Sequence, residues 1–354
     1  MSYRVIQWAT GHVGRQAVRG VLAHPELDLV GCWVHSDEKH GRDVGTICGL
    51  APLGVRASND PNDLLALEAD CVIYSPLLPN TAEVVSILES GKNVVTPLGW
   101  FYPANVNGRD EVETACRKGG VTLHGTGLHP GGITERIPLL ISNLAREVRH
   151  VRAEEFSDIR AYKAEFVVRE IMLFGKTPEE AAASPMLDLL GGGFGQSIDM
   201  VADALGFELD AERLTKHEMA LATKTIDTPV GRLEAGTVAA QRFTWQGTVG
   251  GAPVITVRVN WLMGEQHLDP PWTFGSQRER FEIEVEGEPS LSLTVHGLHP
   301  RDVNDDPDRN PGITATAMHC VNAVPYVCRA EPGIKTYLGL PFMCGRAVRP
   351  LKPA

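Results

Sequence analysis

The feature that most restricts how this chain can fold is a glycine turn near its amino terminus. Residues 5–18 read VIQWATGHVGRQAV, an apolar run that meets Gly11 and Gly14 and continues in a helix-like pattern. Gly11 would let a diphosphate approach the backbone, and Gly14 would let the helix pack closely on the strand. Ala9 stands where the usual first glycine makes the tight turn. The stretch predicts a dinucleotide-binding strand, turn and helix, the alternative being a glycine-terminated strand without a ligand. The predicted contacts are Thr10, Gly11, His12, Val13, Gly14 and Arg15.

The end of the second predicted strand bears on which dinucleotide binds. The apolar run Leu27–Val34 leads into the sequence HSDEK at residues 35–39. A hydroxyl and a cation at this position suit the extra phosphate of NADP, whereas a carboxylate suits the ribose hydroxyls of NAD. We therefore predict NADP, with NAD as the alternative if Asp37 or Glu38 takes the ribose, and a solvated charged turn as the reading without a ligand. The predicted phosphate site consists of His35, Ser36 and Lys39, with Arg15 at the same edge.

The length, composition and net charge of the chain limit the class of protein. A length of 354 residues exceeds one ordinary hydrophobic core, and 43% hydrophobic with 22% charged residues indicates a compact chain. A net charge of −11 argues against a nucleic-acid or anionic-membrane partner and favours a small molecule. No signal-type or membrane-length apolar run occurs, so we expect a cytoplasmic protein. The seven cysteines lack paired spacing, so we expect neither a disulfide framework nor a metal site.

Strand-like and helix-like segments alternate up to about residue 150, and beyond that point the pattern of polar and apolar residues changes. The alternation predicts an α/β fold with a Rossmann-type doubly wound parallel sheet over residues 1–150. Longer alternating stretches around residues 233–245 and 254–263, joined by a glycine-rich turn, predict a second α+β domain with a mainly antiparallel sheet over 151–305. Residues 306–354, with a helix at Thr314–Cys328, are expected to return to the first domain.

Ligands of doubly wound sheets bind beyond the carboxyl ends of the strands, so the loops after the strands hold the next candidates. Two loops would flank the nicotinamide ribose, and their candidates for the cofactor are Ser75, Pro76 and Thr96. Apolar side chains follow in the second of these loops. They predict a substrate pocket that includes Leu98, Trp100 and Phe101.

The loop after the strand Val121–His124 reads GTGLHPGG and carries a candidate for the chemistry. His129 lies among its glycines, and a histidine near its ordinary pKa could donate a proton to a reduced oxygen or nitrogen. The alternative is that His129 caps the following helix or packs in the turn. Thr126 and Asn322 are the candidate helpers, whereas His124 is expected to be structural.

The start of the second domain holds a cluster of acidic residues and a tyrosine. Glu154 and Glu155, with Asp158 and Tyr162, follow within a few residues of one another. A carboxylate here could anchor a substrate ammonium group or act as a base, and Glu154 and Tyr162 are therefore added to the predicted substrate pocket. A solvated strand edge is the alternative explanation.

Several of these segments together resemble the dihydrodipicolinate reductase-like superfamily, and most closely its branch of 2,4-diaminopentanoate dehydrogenases and native amine dehydrogenases. The resemblance runs along most of the chain. It rests on Gln7–Gly11 with Gly14, Lys39–Asp43, Gly125–Gly127 with Pro130 and Gly131, Glu286–Ser290, and Asn322–Pro325. It implies NAD(P)H delivered from a Rossmann domain to a carbonyl or imine carbon, usually in a homodimer.

The chain departs from this family at two places. Amine-forming members have a glutamate a few residues before the Tyr-Pro that matches Tyr102-Pro103, and Leu98-Gly99 stand there instead. The His-His and Lys arrangement of true dihydrodipicolinate reductases is also missing, which argues against lysine biosynthesis. We therefore expect hydride transfer to or from a carbonyl or imine carbon of a small, largely apolar compound. The alternatives are an amine dehydrogenase that uses Glu154 or Glu155, and a catalytically silent NADP-binding paralogue.

Overall fold

A computed structural model describes residues 2–346 of the chain. They form two compact units, one containing the residues up to Leu128 and those from Ile313 onward, the other containing His129–Gly312. The predicted boundary at residue 150 falls inside a strand of the second unit, and the predicted boundary at 305 lies shortly before the second change of unit.

The first unit begins with alternating strands and helices. Its strands are β1 (Tyr3–Trp8), β2 (Leu27–Trp33), β3 (Ala57–Ser58), β4 (Cys71–Tyr74), β5 (Asn93–Thr96) and β6 (Thr122–Gly125). Its helices are α1 (His12–Ala23), α2 (Val44–Ile47), α3 (Pro61–Leu65), α4 (Thr81–Glu89) and α5 (Arg109–Gly119).

The second unit contains longer strands. They are β7 (Glu147–Asp158), β8 (Leu214–Ala222), β9 (Ile226–Thr228), β10 (Gly231–Leu233), β11 (Val238–Val249), β12 (Ala252–Leu262), β13 (Leu268–Asp269), β14 (Arg280–Glu288) and β15 (Leu291–Val295). Its helices are α6 (Ile137–Ser142), α7 (Pro178–Ala182) and α8 (Met186–Leu205). The chain then returns to the first unit through α9 (Pro311–Val327) and β16 (Gly333–Ile334).

The sheet of the first unit has the order β16-β6-β5-β4-β1-β2-β3, and all of its pairs are parallel. Apolar side chains fill both faces. Val5, Ile73 and Val95 pack with α1 and α9 on one face, whereas Trp8 and Val94 pack on the other face in a cluster that includes residues of α4 and α5. Helices on both faces and a strand order that reverses at β1 confirm the predicted doubly wound Rossmann-type sheet.

The main sheet of the second unit has the order β13-β8-β11-β12-β7-β14-β15, and only the β12–β7 pair is parallel. β9 and β10 form a separate pair. Phe194, Ile198 and Val201 recur at helical spacing on α8 and belong to the core cluster of this sheet. The prediction of a mainly antiparallel α+β unit is therefore confirmed.

The two faces of β7 differ in character, and this difference positions the polar residues described next. Because side chains alternate along a strand, Ala153, Glu155 and Ser157 share one face, and Arg152 and Glu154 share the other. Glu155 lies opposite Phe281 of β14, on the face whose neighbours include the buried core.

Candidate functional site

The glycine turn after β1 has the shape that a dinucleotide pyrophosphate requires. Ala9 has a φ of +75°, the left-handed conformation for which glycine is usual, so it makes the turn that the missing first glycine would make. The side-chain amide of Gln7 stabilises it by donating to the Ala9 carbonyl oxygen at 2.9 Å and to Ser75 Oγ at 2.9 Å.

The two glycines of the turn differ in what surrounds them. A Cβ on Gly14 would overlap the carbonyl oxygen of Ala9, which shows that α1 packs directly against the turn. A Cβ on Gly11 would meet nothing within 4 Å, so the backbone at the start of α1 is open to a ligand. The first amides of a helix have no partner within it and favour an anion. The turn, with Thr10, His12, Val13 and Arg15 around it, therefore fits a dinucleotide pyrophosphate.

The charged residues after β2 have different partners. Lys39 Nζ donates to Thr10 Oγ1 at 3.2 Å, which places its charge beside the glycine turn. Asp37 accepts a hydrogen bond from Asn59 Nδ2 at 2.6 Å, and Glu38 lies 3.7 Å from an Arg42 guanidinium nitrogen. The predicted cation is therefore at the turn, whereas both acidic alternatives are engaged elsewhere. The other residues predicted here are His35, which is exposed, and Ser36, which is half-buried.

The loops after β4 and β5 carry the remaining cofactor candidates, Ser75, Pro76 and Thr96. The Ser75 amide donates to the Trp8 carbonyl oxygen at 3.1 Å, so this loop is attached to the end of β1. Thr96 is fully buried, and its Oγ1 accepts from the Leu98 amide at 3.1 Å. The structure thus brings these residues to the carboxyl-terminal end of the sheet, where the glycine turn also lies.

The apolar residues predicted for the substrate pocket lie in the loop after β5. Trp100 has a φ of +54° and is packed in the core of the first unit, against which Leu98 also packs. Phe101 is likewise buried. A Cβ on Gly125 would overlap the backbone of Gly99 and Trp100, so glycine at the end of β6 is required for this close approach.

Thr126 and Asn322, the predicted helpers, occupy different elements of the first unit. Thr126 directly follows β6, and its hydroxyl is hydrogen-bonded to the Tyr337 hydroxyl, which in turn lies 3.2 Å from His319 Nδ1. Asn322 lies on α9. His124, predicted to be structural, is fully buried and contacts the Lys335 carbonyl oxygen through Nδ1 at 2.8 Å.

His129 belongs to the second unit, where it meets Glu155. Its Nε2 lies 3.5 Å from Glu155 Oε2, and the exposed fractions of the two side chains are 3% and 13%. The rings of Phe194 and Phe281 flank the imidazole at centroid distances of 4.9 and 5.4 Å. Neither ring nitrogen has a hydrogen-bond partner among the described residues. A buried imidazole without a partner is unusual, and a bound water or a catalytic role is the usual explanation for such a group.

Glu155 is held by groups from neighbouring strands. Ser157 Oγ donates to Glu155 Oε1 at 2.5 Å, and Trp261 Nε1 donates to the same oxygen at 3.1 Å. Ser157 Oγ also lies 2.8 Å from Nε2 of His299, which is in the segment after β15. We call His129, Glu155, Ser157 and His299 the buried acid–base cluster.

Burial shifts both ends of the contact between His129 and Glu155 toward their uncharged forms. Burial, followed by the nearby His299, lowers the pKa of His129 to about 3. Burial raises the pKa of Glu155 to about 7, and the hydrogen bonds from Ser157 and Trp261 oppose this rise. The expectation that His129 titrates near its ordinary pKa was therefore wrong. Of these two groups, the Glu155 carboxyl is the one whose pKa lies near neutral pH.

Glu154 and Tyr162, the other predicted pocket residues, have structural partners. Glu154 is hydrogen-bonded by Arg152, accepts from Asn260 Nδ2 at 2.9 Å, and lies 3.5 Å from an Arg258 guanidinium nitrogen. Tyr162 packs against the hydrophobic core, and burial raises its pKa. Of the two adjacent glutamates, only Glu155 is in the buried acid–base cluster.

A second buried carboxyl lies in the segment that follows His129. Glu135 is fully buried, and it accepts hydrogen bonds from Ser197 of α8 and from Thr134 Oγ1, the latter at 2.9 Å. The Thr134 hydroxyl also accepts the Gly131 amide at 2.9 Å. Burial raises the pKa of Glu135 to about 7. Glu135 therefore connects the His129 segment to α8, whose Phe194 contacts the imidazole.

Sequence reasoning missed Ser157, His299, Glu135 and Ser197. The spacing of Glu155 and Ser157 was a usable signal, because residues two apart on a strand share a face. Nothing local indicates that His299 lies beside them. Within residues 2–346, no group of three or more His, Cys, Asp or Glu side chains could hold a metal, the cysteines are free, and no helix has the length and apolarity to cross a bilayer.

Comparisons with known proteins show which family this chain belongs to. The profile of the 2,4-diaminopentanoate dehydrogenase C-terminal domain matches residues 133–348, and that of the dihydrodipicolinate reductase N-terminus matches residues 5–96. An amine dehydrogenase of Streptomyces virginiae is 32% identical over 95% of this chain and 96% of its own length. A 2,4-diaminopentanoate dehydrogenase of Acetoanaerobium sticklandii is 28% identical over 65% of this chain and 60% of its own.

A solved structure shows the same fold over the full length. The amine dehydrogenase from Mycobacterium smegmatis superposes with a TM-score of 0.79, at 21% identity and with 98% of each chain covered. The predicted family resemblance is therefore confirmed. The chain belongs to the family of 2,4-diaminopentanoate dehydrogenases and amine dehydrogenases, and it is an NAD(P)-dependent oxidoreductase that acts on amine or carbonyl substrates.

Proposed function

We propose that the protein catalyses reversible NADP(H)-dependent reductive amination of a small, largely apolar ketone or aldehyde, with Glu155 as the acid–base group. The observation that carries this proposal is the position of the Glu155 carboxyl, which lies 3.5 Å from His129. Burial raises the pKa of Glu155 to about 7. The relatives of this chain include an amine dehydrogenase that is similar to it over nearly its whole length. In the aminating direction, a carbonyl compound, ammonium, NADPH and one proton yield a protonated amine, water and NADP.

The chemistry needs one group that can both accept and donate protons. Ammonium must lose a proton before nitrogen attacks the carbonyl carbon, and the hydroxyl of the resulting carbinolamine must gain a proton before it leaves as water. A carboxyl with a pKa near the working pH serves both steps, because its two forms are then comparably populated. The bound nicotinamide supplies or accepts the hydride. Glu155 thus replaces the carboxylate that is missing at Leu98-Gly99.

His129 has a different task in this proposal. Its low pKa keeps the imidazole uncharged at neutral pH, so it does not hold Glu155 in the ionised form. The imidazole offers a hydrogen bond to the substrate oxygen or nitrogen. The aromatic rings of Phe194 and Phe281 beside it favour an apolar substrate over one with carboxylates.

A second candidate function is reduction of a carbonyl or a preformed imine without ammonia. The loop after β5 favours it, since Leu98-Gly99 carry no carboxylate at the place where the family resemblance implies one for an amine-forming enzyme. NADPH oxidation with a panel of apolar ketones and aldehydes, with and without ammonium, separates the two candidates. Ammonium-dependent oxidation with an amine product in the mass spectrum supports reductive amination. Oxidation that is independent of ammonium supports the second candidate.

We propose that the protein prefers NADP over NAD, and the position of Lys39 beside Thr10 supports this preference. Replacing Lys39 by Ala removes the cation beside Thr10, and we expect the Kd for NADPH to rise about tenfold while the Kd for NADH changes little. Quenching of tryptophan fluorescence measures both constants. Lys118→Ala, which removes an exposed cation paired with Glu89, is the control. Equal losses for NADPH and NADH with Lys39→Ala would contradict the phosphate assignment.

The proposal extends to assembly and location. We propose a homodimer, supported by the family resemblance, and a small-molecule substrate as the partner, without nucleic acid or membrane. Size-exclusion chromatography with light scattering tests the dimer. A cytoplasmic location fits the free cysteines of the described residues, since reducing compartments keep thiols unpaired.

A further inference from the structure

Glu155 is nearly buried, so the proton that it exchanges needs a path. We propose that Ser157 and His299 form a proton relay that loads and unloads Glu155, an inference that rests on the proposed acid–base role of that residue. The relay consists of two hydrogen bonds, from Ser157 Oγ to Glu155 Oε1 at 2.5 Å and between His299 Nε2 and Ser157 Oγ at 2.8 Å. Neither residue is assigned a role by the sequence motifs of the family resemblance.

The donor and acceptor inventory determines the direction of these bonds. A serine hydroxyl has one proton, and an ionised carboxylate has none to give. When Glu155 is ionised, the Ser157 proton therefore points to Glu155, and His299 Nε2–H donates to the serine oxygen. The other imidazole nitrogen, Nδ1, is buried and has no hydrogen-bond partner among the described residues. Buried polar atoms of this kind are commonly paired with an ordered water, and such a water is the group from which Nδ1 would accept a proton.

A proton can therefore enter and leave at opposite ends of the relay. A proton from hydronium or a buffer acid reaches His299 Nδ1 through an ordered water, Nε2 passes its own proton to Ser157, and Ser157 passes its own to the Glu155 carboxylate. The result is a carboxylic acid and a neutral imidazole in the other tautomer, and no charge accumulates between them. Running the steps backward discharges Glu155. The single proton that amination consumes overall can be supplied in this way.

The surroundings of His299 favour an imidazole that transfers a proton over one that stays protonated. Its ring stacks on Phe281 with centroids 5.0 Å apart, which fixes the orientation of Nε2 toward Ser157. Burial, followed by the nearby His296, lowers its pKa to about 4, so the imidazolium exists only in transit at neutral pH. The other titratable groups around Glu155 are His129 and Glu279, and Glu279 accepts the Asp158 amide at 2.7 Å. Neither bridges Glu155 and His299.

The replacement His299→Gln tests the relay directly. A glutamine amide can still donate to Ser157 where Nε2 did, but it cannot take up and release a proton. We expect kcat to fall about tenfold or more with the Kd for NADPH unchanged. His299→Ala should show a similar loss that added imidazole partly restores. His296→Gln, the exposed neighbour, is the matched control and should retain wild-type turnover.

The outcomes separate the relay from the function on which it rests. Turnover of His299→Gln within twofold of wild type, or failure of imidazole to rescue His299→Ala, overturns the relay and leaves reductive amination standing. Ser157→Ala, which breaks the relay in the middle, should lose turnover without rescue by imidazole, and it serves if the His299 variants fold poorly. Activity that survives replacement of Glu155 itself overturns the proposed function instead.

Discussion

Replacing Glu155 by Gln is expected to lower kcat about a thousandfold, in the range that loss of a positioned acid–base group costs. Glutamine keeps the size of the side chain, and its amide oxygen can still accept from Ser157 Oγ and Trp261 Nε1. It cannot accept a proton from ammonium or give one to a leaving hydroxyl. The Kd for NADPH should stay within about twofold, because the glycine turn and Lys39 that we assign to the cofactor lie in the other unit.

The pH profile gives a second measure of the same group. With wild-type enzyme, kcat/KM should show an ionisation near pH 7, and the variant should lose it.

Glu154→Gln is the matched control, because it changes the neighbouring residue on the opposite face of β7. That glutamate belongs to the Arg152, Arg258 and Asn260 contacts, so its loss should reduce stability more than turnover. Equal losses of turnover in the two variants would contradict the assignment of Glu155.

The sequence predicted the first strand, glycine turn and helix of the Rossmann-type unit because the signals for these elements are local. Gly11 and Gly14 lie within one turn of each other and directly after a buried strand, and their chemistry depends on little else. Even the departure at Ala9 is explained locally, since alanine adopts the left-handed conformation there.

The buried acid–base cluster was less predictable because it depends on contacts between residues that are distant in sequence. Glu154 and Glu155 are neighbours in sequence, and which of them contacts His129 depends on how β7 is placed between its neighbouring strands. His299 lies 142 positions beyond Ser157, and no spacing reveals such a contact. Burial also moved the pKa of His129 far from the value that its exposed side chain would have.

Helix α8 was missed for a different reason. Gly191–Gly193 and Gly195 interrupt a pattern that otherwise has helical spacing, and glycine weakens any helix prediction. In the fold, a Cβ on Gly191 would lie 3.0 Å from Trp245 Nε1, so this glycine makes room for the indole. Tertiary packing therefore outweighs local propensity, and the helix delivers Phe194 and Ser197 to the cluster region.

Glu135 should make the second unit less stable as the pH rises, and Glu135→Gln should remove that effect. Burial raises the pKa of this carboxyl from 4.5 to about 7, so the folded protein holds a proton that the unfolded chain releases. The stabilisation is complete below pH 4.5 and is lost as the pH rises through 7. Between pH 5 and pH 7, the free energy of unfolding of wild type should fall by about 2 kcal/mol relative to the variant.

Taking the difference between wild type and variant is essential, because His129 and His299 have lowered pKa values and contribute the opposite slope. Urea unfolding at the two pH values, followed by tryptophan fluorescence, measures the difference. Glu212→Gln, at an exposed position of the same unit, should show none. A difference that stays constant between pH 5 and pH 7 would mean that Glu135 is already ionised in the folded protein. The Ser197 and Thr134 hydroxyls would then be holding a buried carboxylate rather than an uncharged acid beside the His129 segment.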